Sequence, residues 1–384
     1  MNIVYIIESM FNSAGMERVV ANKATYFSKQ AGYKVFVITT DQKNRPYYYE
    51  LPQEVTCIDL DINFRDYQHY FILIRIFSYL YKSFIFKKRL AKFLISSKPD
   101  VVVSLLLRSS DFLYKIKDGS AKIIEHHFSH NYSELFSVAQ NRDPLSRFVY
   151  NWRGKMDRFH LKKYEKFVVL TKEDASLWGN DFKNITIIPN SISFQTEKTS
   201  NPENEIVLAI GRLEYQKGFD ILLEIWERIY HNNPNWQLHI YGDGQDKEKL
   251  LSIIRQKMMT ESVRIFPPTK NIEQVLLSGS IYAMSSRFEG FPMILLEAME
   301  CGLPCVSFAC KCGPRDIILD SEDGCLIDAY NVEFFAKKLN ELMQKKELRS
   351  LMGNKAKQNV QRFSESKVMK KWEDLFLQLT KNKL

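Results

Sequence analysis

Two stretches of this 384-residue chain carry side chains whose types and spacing suit the binding of an anion. The first is Gly211-Arg212-Leu213-Glu214-Tyr215-Gln216-Lys217-Gly218, directly after the apolar run 206–210. Its guanidinium and ammonium would sit at the carboxyl end of a strand, where an Arg can grip two phosphate oxygens and a Lys adds a point charge. The second stretch is residues 285–304. There 281–285 reads as a strand, Gly290 permits a tight turn, and Pro292 suits the first helical position. Ile294 to Met299 carries a short helix, Gly302 is placed to cap it, and Pro304 stops it. The positive N-terminal end of that helix would face the loop holding Glu289, a ready seat for a phosphate. Glu297 comes eight residues later, one to two turns into the helix. The two carboxylates therefore need not touch, yet both can line one cleft.

Such loops need rigid strands behind them. Short apolar runs recur at 3–7, 35–39, 55–58, 101–105, 121–124 and 167–170, with helical patterns between several of them. The second half repeats the scheme at 206–210, 237–241, 263–266, 281–285, 305–308 and 325–327. This alternation predicts an α/β protein of two doubly wound, parallel-sheet domains. A length of 384 residues with 45% hydrophobic content is enough for two cores. Residues 193–205, rich in Ser, Thr, Asn and Glu, read as the linker. In such sheets ligands gather outside the carboxyl ends of the strands, which is where both stretches fall.

Charge is distributed unevenly. Residues 1–200 hold 29 Lys and Arg against 20 Asp and Glu, and the remainder holds 25 of each, so the whole formal charge of +9 lies in the first half. That half would attract an anionic membrane or an acidic acceptor; no nucleic-acid-binding module is recognisable, so nucleic acid is not expected as a partner. Within it, residues 62–98 interleave Phe64, Tyr67, Tyr70, Phe71, Ile74, Phe77 and Tyr81 with Arg65, Arg75, Lys82, Lys87, Lys88, Arg89 and Lys92. Such a helix can lie on an anionic bilayer surface, or can pack on the sheet as an ordinary helix. The most apolar part, 70–86, is broken by Arg75 and Lys82 and does not read as a span. Met1 leads straight into a strand without a basic leader, so a cytoplasmic protein is expected, with peripheral attachment at the inner face of the membrane as an option. Five of six cysteines fall between Cys301 and Cys325 without paired spacing, which reads as reduced thiols in a core.

Four further places stand at strand ends. The turn Asn12-Ser13-Ala14-Gly15 enters a helix, Tyr241-Gly242-Asp243-Gly244 comes after a strand, and Phe266-Pro267-Pro268 ends another. Glu125-His126-His127-Phe128-Ser129-His130 gathers three of the seven histidines at one strand end. Zinc is the competing reading there, but neighbouring His126 and His127 diverge and no fourth ligand is evident. Thr171 reads as an N-cap with Asp174 three residues on.

The E-x7-E pattern of Glu289 and Glu297 with Glu-Gly-Phe-Pro inside it, and the Gly-Arg-Leu…Lys-Gly loop, resemble the retaining family 4 glycosyltransferases of the GT-B fold. The Gly-x-Gly turn at 242–244 and the Pro189-Asn190 turn agree. The resemblance implies that Arg212 and Lys217 neutralise the donor diphosphate, that Glu289 meets the donor-sugar hydroxyls, and that Glu297 holds the ribose. It also implies that the turn of Gly290, Phe291, Pro292, Met293 and Ile294 approaches the diphosphate and sugar. Gly15, Gly211, Gly242 and Phe266 would lie along the nucleotide; the family's first Gly before Gly15 is Ala14 here. His126, with His127 as its substitute, would line the acceptor side. The implied domains are 1–195 for the acceptor and 196–362 for the donor, with a last helix in 363–384 packed back on the first. The implied reaction moves a hexose from a nucleotide diphosphate sugar, UDP by family frequency, to a saccharide or lipid-linked saccharide in surface polysaccharide synthesis. Neither a metal nor a cofactor is implied. The rival readings are a non-catalytic sugar-nucleotide-binding subunit and an epimerase or phosphorylase on the same fold.

Overall fold

A computed structural model describes residues 1–12, 15–67, 72–130 and 154–381. Ser13, Ala14, Tyr70 and Phe71 lie outside the described residues, as do the side chains of Arg65, Tyr67 and Arg75. The first sheet holds β1 (Asn2–Ile6), β2 (Lys34–Thr39), β3 (Thr56–Asp59), β4 (Val101–Ser104), β5 (Ala121–His126), β6 (Lys166–Val169) and β7 (Ile185–Ile187). The second holds β8 (Ile206–Ile210), β9 (Gln237–Tyr241), β10 (Val263–Phe266), β11 (Ile281–Met284), β12 (Cys305–Phe308) and β13 (Gly324–Ile327). All pairings are parallel, in the orders β3-β2-β1-β4-β5-β6-β7 and β10-β9-β8-β11-β12-β13. Both sheets reverse direction of growth once, between β1 and β4 and between β8 and β11. Those are the crevices where doubly wound sheets take ligands.

Five helices position or close these crevices: α1 (Gly15–Ser28), α2 (Ile72–Ser97), α3 (Lys172–Trp178), α4 (Met293–Glu300) and α5 (Glu365–Lys381). Central strands are buried on both faces, as parallel sheets must be, and so read as unbroken apolar runs. Helix α5 closes the chain against the first sheet. Its Val368, Met369, Trp372, Leu375 and Phe376 share a core with Ile3, Tyr5, Phe27 and Val35. Each such burial stabilises by about 1.5–3 kcal/mol, which ties the end of the chain to its beginning.

Three local features depart from the sequence reading. Several strand ends move by one residue or two, and β5 runs on through His126 rather than stopping at 124. Residues 185–187, not among the expected strands, pair with β6 as β7. Pro292 is the N-cap of α4, with extended φ −72° and ψ 94°, and not its first helical residue. The helix therefore begins at Met293, and Gly302, at φ +73°, stands just past its far end.

Helix α2 is two-faced. Phe86, Leu90 and Leu94 bury one stripe in the core beneath it. The opposite stripe, at spacings of three and four, exposes Phe77 (72%), Tyr81 (66%) and Phe84 (65%), continuing through exposed Lys88 and Lys92. Among the described residues no helix is long and apolar enough to cross a membrane. All six cysteines are free, and five are buried. Burial pushes the Cys301 thiol up to about 12 and that of Cys325 to about 11, so both stay protonated at neutral pH.

Candidate active site

The loops after β8 and β11 meet at the switch point of the second sheet. Gly218 sits at φ +64°, and a Cβ there would lie 2.2 Å from the Ser285 carbonyl oxygen. Only glycine allows both the conformation and the approach. The Ser285 hydroxyl donates to the Gly218 carbonyl at 2.9 Å, and Arg287 N–H donates to the Gln216 carbonyl at 2.8 Å. The guanidinium of Arg287 forks onto Asp220 at 2.9 and 2.8 Å and also donates to the Tyr215 carbonyl. Arg287 thus holds the loop, leaving Arg212 and Lys217 as the cations that can meet a ligand.

Lys217 and Glu289 come together across 72 residues of sequence, with Nζ 2.8 Å from Oε1. The lysine stem packs on Gly211, where an added Cβ would come within 3.2 Å of its Cδ. Arg212 is 62% exposed, with Nη1 3.1 Å from Glu214 Oε2. Gly242 presses on the Gly211 carbonyl too closely for any side chain, which binds the β9 loop to the β8 loop. Phe266, at the end of β10, stacks on Tyr241 at 4.7 Å and 16°.

The first domain closes this site from above. At Gly290 a Cβ would fall 2.2 Å from the His127 carbonyl oxygen, so the donor-side turn touches the loop after β5. Phe291 is buried, Met293 and Ile294 are half-buried, and α4 carries Glu297 into the interior. Burial raises the Glu297 carboxyl above its ordinary range, and Arg18 of α1, which forms an ion pair with it across the cleft, draws it back. Glu289 and Glu297 thus have separate ion partners, Lys217 and Arg18. Lys270 lies 4.6 Å over the Tyr48 ring, a second bridge on the same side. At the other end, the N-terminus of α3 ties the domains. The Thr171 hydroxyl accepts from Asp174 N–H at 2.9 Å, Glu173 accepts from Cys312 N–H at 2.9 Å, and Asp316 accepts from Lys172 N–H at 2.9 Å.

The two histidines part company. His126, still within β5, turns its ring to Trp178 (5.6 Å) and Phe167 (6.0 Å), with Nδ1 4.0 Å from Asp174 Oδ2. His127 falls on the opposite face, its Nε2 3.1 Å from Glu125 Oε1. Glu125 is fully buried and pairs with buried Lys23, whose Nζ lies 3.8 Å over the Trp372 ring of α5. Burial alone would raise the Glu125 carboxyl, but Lys23 and His127 hold it at about 2, down from 4.5. Gly15 opens α1, and a Cβ there would meet nothing within 4 Å, so packing does not demand a glycine.

Sequence reasoning missed Arg18 and the Lys23–Glu125 pair. The only local signal was the acidic–basic couple Glu17-Arg18 after a small-residue turn. Nothing local pairs Lys23 with a carboxylate 102 residues away.

As a whole the arrangement puts two cations and a short helix N-terminus beside two carboxylates, under the first domain. It can neutralise a diphosphate, hold hydroxyl groups and exclude water. Residues 13–195 match the family described as Glycosyltransferase Family 4, and residues 191–359 match the glycosyl transferases group 1. The chain is 31% identical, over 97% of its length and 99% of the relative's, to the amylovoran biosynthesis glycosyltransferase AmsD of Erwinia amylovora. Its fold is that of S. aureus TarM, solved in a complex that includes UDP (TM-score 0.77, 17% identity, 98% of this chain and 99% of the other). It is also that of the lipopolysaccharide outer core galactosyltransferase WaaB in its apo form (TM-score 0.74, 22% identity, 98% and 99%).

Proposed function

The chain belongs to the glycosyltransferases of the GT-B fold, and on that premise we propose a retaining transfer of a hexose from a nucleotide diphosphate sugar, with UDP as the carrier. The acceptor is a hydroxyl of a saccharide or lipid-linked saccharide in surface polysaccharide synthesis, a reading supported by what AmsD is named for. The observation that carries it is the meeting of Lys217 and Glu289 at the switch point, with Arg212 on the same loop. The bond from the anomeric carbon to the phosphate oxygen breaks, and one from the acceptor oxygen to that carbon forms on the same face. The acceptor's proton passes to the leaving phosphate. Arg212 and Lys217 meet the charge growing on the diphosphate, as preorganised electrostatics should, in place of a metal ion. Glu289 orients the sugar and Glu297 the ribose, while the turn from Gly290 to Ile294 lies along the diphosphate. His126 at the end of β5, with His127 as its substitute, lines the acceptor side, and Phe266 lies beside the base.

Thermal unfolding with UDP, GDP, ADP and TDP, each with and without magnesium, tests this directly. A ligand at a hundred times its dissociation constant stabilises by about 2.7 kcal/mol. The expected result is a shift with UDP alone, unchanged by magnesium and smaller in Lys217→Ala. No shift with any diphosphate would overturn the donor reading.

The exposed stripe of α2 supports peripheral attachment to an anionic membrane surface at its inner, cytoplasmic face. Phe77, Tyr81 and Phe84 would enter the headgroup region and Lys88 and Lys92 would meet lipid phosphates. The protein should float with vesicles containing phosphatidylglycerol at low salt, and the triple variant Phe77→Ser, Tyr81→Ser, Phe84→Ser should stay in solution. Equal flotation with neutral vesicles would remove the electrostatic part of this reading.

A further inference from the structure

The donor carboxylates stand on the second domain, yet one has its ion partner on the first. Glu297 lies in the second turn of α4, almost wholly buried, and Arg18 reaches it from the first turns of α1 across 279 residues of sequence. Arg18 is itself fixed from behind, its guanidinium 5.2 Å over the Tyr49 ring. We propose that Arg18 is a positioning residue of the donor site: it holds the Glu297 carboxylate aimed at the ribose hydroxyls, so that the nucleoside end of the site is complete only when the two domains are docked. The inference rests on the assignment of Glu297 to the ribose.

Burial creates the need for a partner. A carboxylate in such surroundings ionises reluctantly, and ionisation makes both of its oxygens acceptors, one for each ribose hydroxyl, where protonation turns one of them into a donor. The groups facing Glu297 are Arg18 of α1, Tyr49 of the loop after β2, the Ser193 hydroxyl of the connecting segment, Tyr282 of β11 and Cys301 just beyond α4. Burial raises both tyrosines and pushes Cys301 up to about 12, so these three stay neutral. Among these groups Arg18 is the one that carries charge. An acceptor-side domain thereby supplies part of the donor site, and opening the cleft withdraws it. Gly290 against the His127 carbonyl and Lys270 over Tyr48 are further contacts between the same two domains.

Calorimetric titration of the full chain separates this inference from its premise. The probes are UDP and its 2′,3′-dideoxy analogue, and the variants are Glu297→Gln, Arg18→Ala and Arg18→Lys. Glu297→Gln should weaken UDP about tenfold, as the loss of a hydrogen bond to a charged group does, and leave the dideoxy analogue nearly unchanged. Arg18→Ala should also weaken UDP selectively, and should move the acid limit of UDP binding to higher pH. The sign comes from removing a cation, which raises the Glu297 carboxyl further and protonates it sooner on acidification. Arg18→Lys should restore much of the affinity and of the pH profile, which a merely structural loss would not allow. Wild-type affinity and acid limit in Arg18→Ala, with Glu297→Gln impaired, would overturn the inference alone. Tighter UDP binding in Arg18→Ala would overturn it as well, showing that the arginine competes with the ribose. Unchanged binding in Glu297→Gln would remove the ribose assignment and the inference together.

Discussion

Replacing Lys217 with alanine should lower turnover by roughly a hundredfold to a thousandfold, the loss seen when one preorganised charge is taken from a developing anion. The reason is positional. Its ammonium stands at the end of β8 where the switch point opens, 2.8 Å from Glu289, and its stem is packed along Gly211. The leaving diphosphate gains charge as the glycosidic bond stretches, so the lysine matters more in the transition state than in the bound donor. The kcat should therefore fall by a larger factor than the affinity for UDP. Lys217→Arg should not rescue fully, because the space beside Gly211 fits a straight stem and a guanidinium would meet Glu289 from a different distance. Steady-state kinetics beside UDP titration check both statements. A Lys217→Ala enzyme with near-normal kcat would be incompatible with the proposed role.

The second large effect is on stability. Lys23→Met should destabilise the protein by about 3–5 kcal/mol, the cost of leaving a buried charge without its partner. Lys23 and Glu125 are both almost completely buried, and Lys23 also lies on the Trp372 ring, so the pair joins α1, β5 and α5. The double variant Lys23→Met, Glu125→Gln should recover part of the loss, since no uncompensated charge then remains. The pH dependence comes from Glu125, whose folded value is about 2 against an ordinary 4.5. A carboxyl depressed on folding contributes stability that is complete above its unfolded value and fades as pH falls toward its folded one. Wild-type stability should therefore decline from about pH 4.5 toward pH 2. In Glu125→Gln this part of the acid decline should be missing. Urea unfolding at neutral pH and through the acid range reads both, and a Lys23→Met protein as stable as wild type would show the pair to be of no energetic weight.

Much of the architecture is legible in the chain itself, because the information is local. Strands buried on both faces must be apolar runs, and 206–210, 237–241, 263–266 and 305–308 end where the runs end. Turn chemistry is local too: Gly218 and Gly302 stand at positive φ, and Thr171 caps α3. The places of Arg212, Lys217, Glu289 and Glu297 at strand ends and on a short helix come from the same rules. β7 escaped because three residues so close to Pro189 carry too little pattern to show a strand.

The rest depended on which strand ends lie side by side. Strand order alone brings the 211–218 loop to the 285–292 loop, and no window of sequence contains that adjacency. The two histidines were decided by strand parity. Because β5 continues through His126, that ring faces Trp178 and its neighbour faces Glu125, and a register one residue different would exchange them. Arg18 and Glu297 are separated by nearly the whole chain, and only the docking of one domain on the other makes them partners. Composition and periodicity therefore determined the two sheets and the residues able to do chemistry. Tertiary structure decided which of those residues act together, since a charge chooses its partner by distance in space and not by position along the chain.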